Sequence, residues 1–421
     1  MTTRILFVTI PEKGHVNPLI GIAQHLQRAG HTSTFLAQGD LSAHLAAAGL
    51  DARCFVPEIG AGAPAAETPA EFVTRGRVFA EKVRDAAWLR RWIARLLIEV
   101  VPAQIPSFRA LIQELRPDVV ATDPMVYAAV IAAESAGIPW AGISSSLNPV
   151  TPDEWSTELT ETVRGLAPAR ARLFADHGVR LPRFKVCDAI SPWLNTVFST
   201  EEYAPRGPSG NDFSFYVGAS LPLGSRGDEA PFPWERLRAG RPLVYISFGS
   251  QIFHQPELFL AAFEALAPAG VDIVASVNEL AEDPAFVRRV PEGVVLAHYV
   301  PQLALLDRAD LMITHGGANS VAECLSRGRP LVVVPICNDQ PLQARFLAQS
   351  GAGAAIAPQD FTTERCRSIV LPMLAEGAPE RARARAVGQS FAVRDGASRT
   401  AELVAELAAT RRALMPEVTA R

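Results

Sequence analysis

The stretch THGGANSVAECLSRGRPLVVVPICNDQ, Thr314 to Gln340, decides how the chain is read. An apolar run, Leu311-Met-Ile, leads into it, so a strand ends at Thr314, the chain turns on Gly316 and Gly317, and a helix starts near Ala318. The first amides of a helix lack intrahelical partners and lie at its positive end, so such a turn attracts anions. Glycines there let a ligand approach the backbone, His315 adds an imidazole donor, and Asn319 and Ser320 add side-chain donors. That set suits a diphosphate. Glu323, about one turn beyond Asn319, shares its face and is placed for ribose hydroxyls.

Outward from this stretch the same pattern repeats. YVPQ, Tyr299 to Gln302, follows the preceding strand and offers an aromatic and an amide to flank a base. FGSQ, Phe248 to Gln251, follows the first strand of this half and supplies a second set of amides. PLVVVP leads to Asp339 and Gln340. The dinucleotide fingerprint G-x-G-x-x-G is missing from both first turns, which weakens a dehydrogenase reading.

The N-terminal half alternates too: RILFVTI, the helical pattern LIGIAQHLQRAG, HTSTFLAQ, then DLSAHLAAAGL with Asp40 as its N-cap. RPDVVATDP, MVYAAVIAAESAG and IPWAGISSS continue it. Strand–helix alternation predicts parallel, doubly wound sheets. Residues 148–213 are irregular, and 221–242 is dense in Pro and Gly, reading as a linker. Two open sheets in tandem place a ligand cleft between them.

With 421 residues, 48% of them hydrophobic, the chain has material for two cores. A formal charge of −4 gives no nucleic-acid footprint. Five scattered cysteines without a C-x-x-C pair argue for reduced core residues rather than disulfides or structural zinc. No run approaches the roughly 20 apolar residues that cross a bilayer. The first residues read as a strand and not a signal peptide, so a cytoplasmic protein is expected. The amphipathic segment Val78–Val101, with Trp88 and Trp92 among its arginines, reads as a helix roofing its own domain or lying on a membrane surface.

The run YVPQLALL…THGGANSVAECLSRGRPLVVVPICNDQ resembles the nucleotide-sugar signature of the UDP-glycosyltransferase family, inverting enzymes that glycosylate small lipophilic molecules. GHVNP near the N-terminus extends the resemblance to most of the chain. It implies a GT-B fold of two facing Rossmann-like domains, 1–220 for the acceptor and 243–395 for the donor. It also implies that the tail 396–421 crosses back to the first domain. By position, Gln302 would meet the base edge, Tyr299 or Val300 its face, and Glu323 the ribose. His315, Gly317, Asn319 and Ser320 would hold the diphosphate, assisted by Ser250, and Asp339 and Gln340 the sugar hydroxyls. Plant members carry Trp at the positions of Tyr299 and Ala318, so this chain departs there.

His15, at the end of the first strand, then reads as the general base, since an imidazole suits proton removal near neutral pH. Asp123 in VVATDPM ends another strand of that sheet and resembles the family's dyad acid, while Asp118 should lie at the opposite edge. The expected reaction is a single inverting displacement, with helix amides and His315 stabilising the leaving diphosphate and no metal ligand set. Expected partners are a UDP-sugar, with TDP-sugar possible, and a large apolar acceptor, with no further cofactor. A polyketide, macrolide, flavonoid-like phenol or carotenoid would suit Phe79, Trp88, Trp92 and Ser144. Asp339-Gln340 fits a fully hydroxylated hexose such as glucose. Alternatives are an epimerase or hydrolase on the same scaffold, or a non-catalytic glycosyltransferase partner; monomer and homodimer are both open.

Overall fold

The strand RILFVT, β1 (Arg4–Thr9), is buried at every residue after Arg4, as a central parallel strand must be. The structure, a computed structural model, describes residues 2–57, 76–206, 213–393 and 395–417. In the first lobe, β2 (Thr32–Ala37), β3 (Arg53–Phe55), β4 (Val119–Thr122) and β5 (Trp140–Ser144) follow. A small antiparallel hairpin, β6 (Arg183–Lys185) and β7 (Asp188–Ile190), precedes β8 (Leu194–Val197) and β9 (Ser214–Tyr216). The sheet is parallel in the order β3-β2-β1-β4-β5-β8-β9. Because side chains alternate across a strand, Ile5 and Phe7 enter one core and Leu6 and Val8 another. Each such fully buried side chain contributes about 1.5–3 kcal/mol.

The second lobe repeats the plan with β10 (Leu243–Ser247), β11 (Asp272–Ser276), β12 (Val295–Ala297), β13 (Leu311–Thr314), β14 (Leu331–Val333) and β15 (Gly353–Ala355). Its order is β12-β11-β10-β13-β14-β15, again parallel. In both sheets the order reverses beside the first strand, between β1 and β4 and between β10 and β13. At such a switch point the flanking loops part and leave a crevice beyond the carboxyl ends of the strands. Asp123, Ser250 and His315 lie on segments that leave those ends, and His15 lies in the first turn of the helix Lys13–Arg28, which starts earlier than the expected pattern LIGIAQHLQRAG.

The lobes share packing. Trp155 lies against Phe346, ring centroids 4.6 Å apart, and Tyr203 joins them in one apolar cluster. The final helix, Gly396–Thr410, buries Ala397, Val404 and Leu407 in the first lobe's core beside the helix Lys13–Arg28. Asp118 bonds Arg4 at the amino ends of the strands, opposite the cleft.

Three local expectations change. Val78–Val101 is not one helix: Asp85 caps the amides of Ala87 and Trp88, so Gly76–Lys82 stops and Ala86–Ala94 begins. A π turn, Arg95–Glu99, follows. The apolar face Phe79, Val83, Leu89, Ile93 and Leu97 is buried in the first lobe, which leaves no stripe for a membrane surface. Asp40 accepts from the Ser42 amide, but the capping position of the helix Ser42–Ala47 is Leu41. The irregular 148–213 segment hides β8, too short and too polar to show periodicity. Among the described residues all five cysteines are free, and no helix is long and apolar enough to span a membrane.

Candidate active site

A single cleft between the lobes is lined by His15 and by every donor-side residue singled out above, from Ser250 and Tyr299 through Val300, Gln302, His315, Gly317, Asn319, Ser320 and Glu323 to Asp339 and Gln340. Counted to its open mouth, solvent included, the cleft holds about 1660 Å³.

Gly317 precedes the helix Ala318–Leu325, and no side chain caps that helix end. Its amides are left for an anion. His315 lies beside them with its ring between two glycines. A Cβ on Gly317 would stand 2.7 Å from His315 Nε2, and one on Gly249, itself at φ 81°, 2.7 Å from Cε1. Burial drives the imidazole pKa down to about 4, against a backbone bond with Ser247. His315 is therefore a neutral donor. Asn319 reaches across the cleft and donates its side-chain amide to the Gly14 carbonyl. That carbonyl is free because Pro18, four residues on within the helix, has no N–H to offer it.

Farther along the same helix Glu323 is buried with both oxygens engaged. Arg226 Nη1 donates to Oε1 at 2.9 Å and Gln302 Nε2 to Oε2 at 2.6 Å. Tyr245 donates to the other end of the Gln302 amide at 2.9 Å. Arg226 also binds Asp228 at 2.7 Å, and Asp228 pairs with Lys13 at 3.3 Å. Burial acts to raise the Asp228 pKa, but the charges of Arg226 and Lys13 outweigh it and hold the carboxyl below its usual range. Lys13 Nζ stands 3.9 Å from the Tyr299 ring centroid, covering one face. Arg226, Asp228 and Lys13 were not singled out in the sequence. Opposite charges inside a Gly-rich linker, SRGD, were the available signal.

Asp339 begins the helix Gln340–Ser350 but its carboxylate caps nothing. Burial lifts its pKa to about 6, opposed by a bond with its own backbone and by the charge of His15. Gln340 differs from the simple sugar-binding picture: its Oε1 accepts from the amides of Ile336 and Cys337 at 2.8 and 3.0 Å. Only its NH2 group remains for a hydroxyl.

On the first lobe, His15 Nδ1 lies 2.5 Å from Asp123 Oδ2. Ser145 Oγ stands 2.9 Å from the same nitrogen and donates to Asp123 at 3.3 Å. Burial alone would lower the His15 pKa, but the charge and hydrogen bond of Asp123, then Glu12 and Asp339, raise it to about 9. Nε2 is left on the cleft side.

The acceptor-side residues divide. Trp92 lines the cleft with Ile93, Leu96 and Met125. Phe79 and Trp88 do not; they back Trp92, at centroid distances of 5.4 and 6.2 Å. Ser144 is corrected outright: its hydroxyl turns inward and donates to Asp188 at 2.5 Å. Neighbouring residues at a strand end point oppositely, so Ser145 takes the cleft position. Burial, with the charge of Asp123 added, raises the Asp188 pKa to about 7. Residues 72–75, the start of the segment 72–92 expected to help build the acceptor pocket, lie outside the described residues. Among the described residues no group of three or more His, Cys, Asp or Glu is arranged to hold a metal ion.

The arrangement can bind an anion on one lobe and move a proton on the other. Residues 24–207 match the erythromycin biosynthesis protein CIII-like N-terminal domain, and residues 262–408 its C-terminal domain. An NDP-glycosyltransferase, YjiC, from Bacillus licheniformis is 26% identical over 371 residues, covering 87% of this chain and 88% of its own. Demethyllactenocin mycarosyltransferase of Streptomyces fradiae is 24% identical over 387 residues, covering 88% of this chain and 79% of its own. In fold, the chain resembles the glycosyltransferase VinC solved in complex with DTDP, at a TM-score of 0.69 and 20% identity, with 96% and 99% of the two chains covered. With both family domains present in order on two facing parallel-sheet lobes, this chain belongs to the EryCIII-like glycosyltransferases of the GT-B fold.

Proposed function

We propose that the chain is an inverting transferase that moves a hexose, glucose foremost, from a UDP-sugar to a hydroxyl of a large apolar natural product. The observation that carries this reading is the His15–Asp123 pair, Nδ1 to Oδ2 at 2.5 Å, opening on the same cleft as the uncapped helix at Gly317. Asp123 fixes the ring so that Nε2 takes the acceptor's proton. The acceptor oxygen bonds to the anomeric carbon as the bond from that carbon to the diphosphate breaks, with inversion. The leaving charge falls on the amides following Gly317 and on neutral His315. These donors give the diphosphate a seat without a divalent ion, so chelation should leave activity intact. Trp92 and its apolar neighbours form the acceptor wall.

A TDP-sugar is the second reading. Each oxygen of Glu323 already accepts one bond, from Arg226 or Gln302, which leaves less capacity for a ribose diol. A ribose lacking its 2′-hydroxyl asks for less, and VinC was solved with DTDP. Mass spectrometry of products from a panel of UDP- and TDP-hexoses against phenolic and macrolide acceptors tests both. A glycoside formed from UDP-glucose supports the first, one formed only from TDP-sugars the second. Slow donor hydrolysis with no glycoside from any acceptor would sink both.

A further inference from the structure

His15 faces a second acid that the dyad leaves without a role. Glu12 Oε2 lies 3.8 Å from His15 Nε2, with the Glu12 side chain 12% exposed. Asp123 holds the opposite ring nitrogen. Glu12 is also the residue before the helix Lys13–Arg28, yet its side chain caps no amide there. It instead accepts a hydrogen bond from the side-chain amide of Gln251, on the turn that follows β10 of the other lobe. The neighbouring Gly14 carbonyl is bonded by Asn319 of the same lobe. The loop bearing Glu12 is thus held against the imidazole from across the cleft.

We propose that Glu12 is a positioning residue for the reaction, a second carboxylate partner of His15 that sets how firmly the base holds its proton. The proposal rests on the reading of His15 as the base. Nε2 is the atom that must be empty to receive the acceptor's proton, and a carboxylate beside it favours the protonated ring. The other groups around the ring are accounted for. Asp123 lies at Nδ1 with Ser145 beside it, and Asp339 faces it from the start of the helix Gln340–Ser350. Asp188 on β7 stands behind Asp123. Lys13, the adjoining cation, is drawn to Asp228, and His315 across the cleft is neutral. Among the described residues Glu12 is the acid paired with Nε2, and its charge is not needed to orient the ring. Its own pKa is raised by burial first, lowered by His15 and raised by Asp123, so acid and base titrate as a pair.

Glu12→Gln keeps the shape and the bond to Gln251 while deleting the charge. The acid limb of kcat/KM against pH should move down by about one pH unit, making the variant several-fold faster than wild type below the limb. Glu12→Asp alters the shape more but keeps the charge, and its limb should stay near wild type. A purely structural role would reverse that order. The His15 titration, followed by NMR of the histidine-labelled full chain without substrates, should show the same displacement in Glu12→Gln. An unmoved limb and an unmoved His15 titration in folded Glu12→Gln would overturn the proposal. The two ideas fail separately, because an active His15→Ala refutes the base assignment whatever Glu12 does.

Discussion

The two walls of the cleft solve different problems with different materials. On the second lobe's wall, the proposed donor side, one continuous stretch, Thr314 to Gln340, presents an uncapped helix end, glycines and an imidazole that burial keeps neutral. On the other wall the groups around His15 come from three separate places, Glu12, Asp123 and Ser145, with Asp188 behind Asp123, and are rich in buried carboxyls. Holding a diphosphate needs donors that cost little to bury, and local backbone supplies them. Moving a proton needs opposed charges at set distances, which only the converging ends of several strands supply.

The sharpest break between the walls is expected from His15→Ala. It should lower turnover by about a hundred- to ten-thousandfold, while nucleoside diphosphate affinity, read by calorimetry, stays close to wild type. Gly317→Ala attacks the other wall. Gly317 sits at φ −60°, which any residue adopts, so the added methyl acts only by meeting His315 at 2.7 Å. Overpacking of about 1–3 kcal/mol corresponds to roughly a five- to 150-fold loss of donor affinity. Turnover at saturating donor should fall much less, and equal losses in both would erase the distinction between the walls.

The pH dependence sharpens the comparison from the acceptor side. The His15 pKa is raised from 6.5 to about 9, so the base form grows as pH rises through that range. kcat/KM should climb about tenfold per pH unit below the limb. The stabilisation from the Asp123–His15 pair runs the other way: complete below pH 6.5 and lost as pH rises through about 9. Asp123→Asn should shift the limb down and lower the plateau. The smallest effect is expected from Trp92→Leu, which trims the apolar wall. A rise in acceptor KM of about three- to tenfold, or roughly 1 kcal/mol, with donor KM unchanged would place Trp92 in the acceptor pocket.

The stretch Thr314 to Gln340 was legible as a strand, glycine turn and helix because its residues are close in the chain, where spacing translates directly into geometry. Elsewhere local pattern failed for identifiable reasons. Ser144 and Ser145 are alike in sequence, and only the facing of the strand end decides which meets the core acid and which meets His15. Arg226 and Asp228 sit in a stretch without periodicity, where the opposite charges of SRGD do not say that Arg226 will be buried against Glu323. Phe79, Trp88 and Trp92 are all aromatic and close in sequence, yet only Trp92 reaches the cleft.

By itself the sequence determined that two parallel sheets form in tandem, that a glycine turn leads from a strand into a helix end, and that a histidine follows the first strand. Those features follow from periodicity and from the chemistry of short segments. The tertiary structure alone decided which charges meet. The Asp123–His15–Glu12 array spans 111 residues of chain, and the linker's Arg226 lies 97 residues from Glu323. Coulomb interactions act through space, and no local pattern records which strand ends will converge.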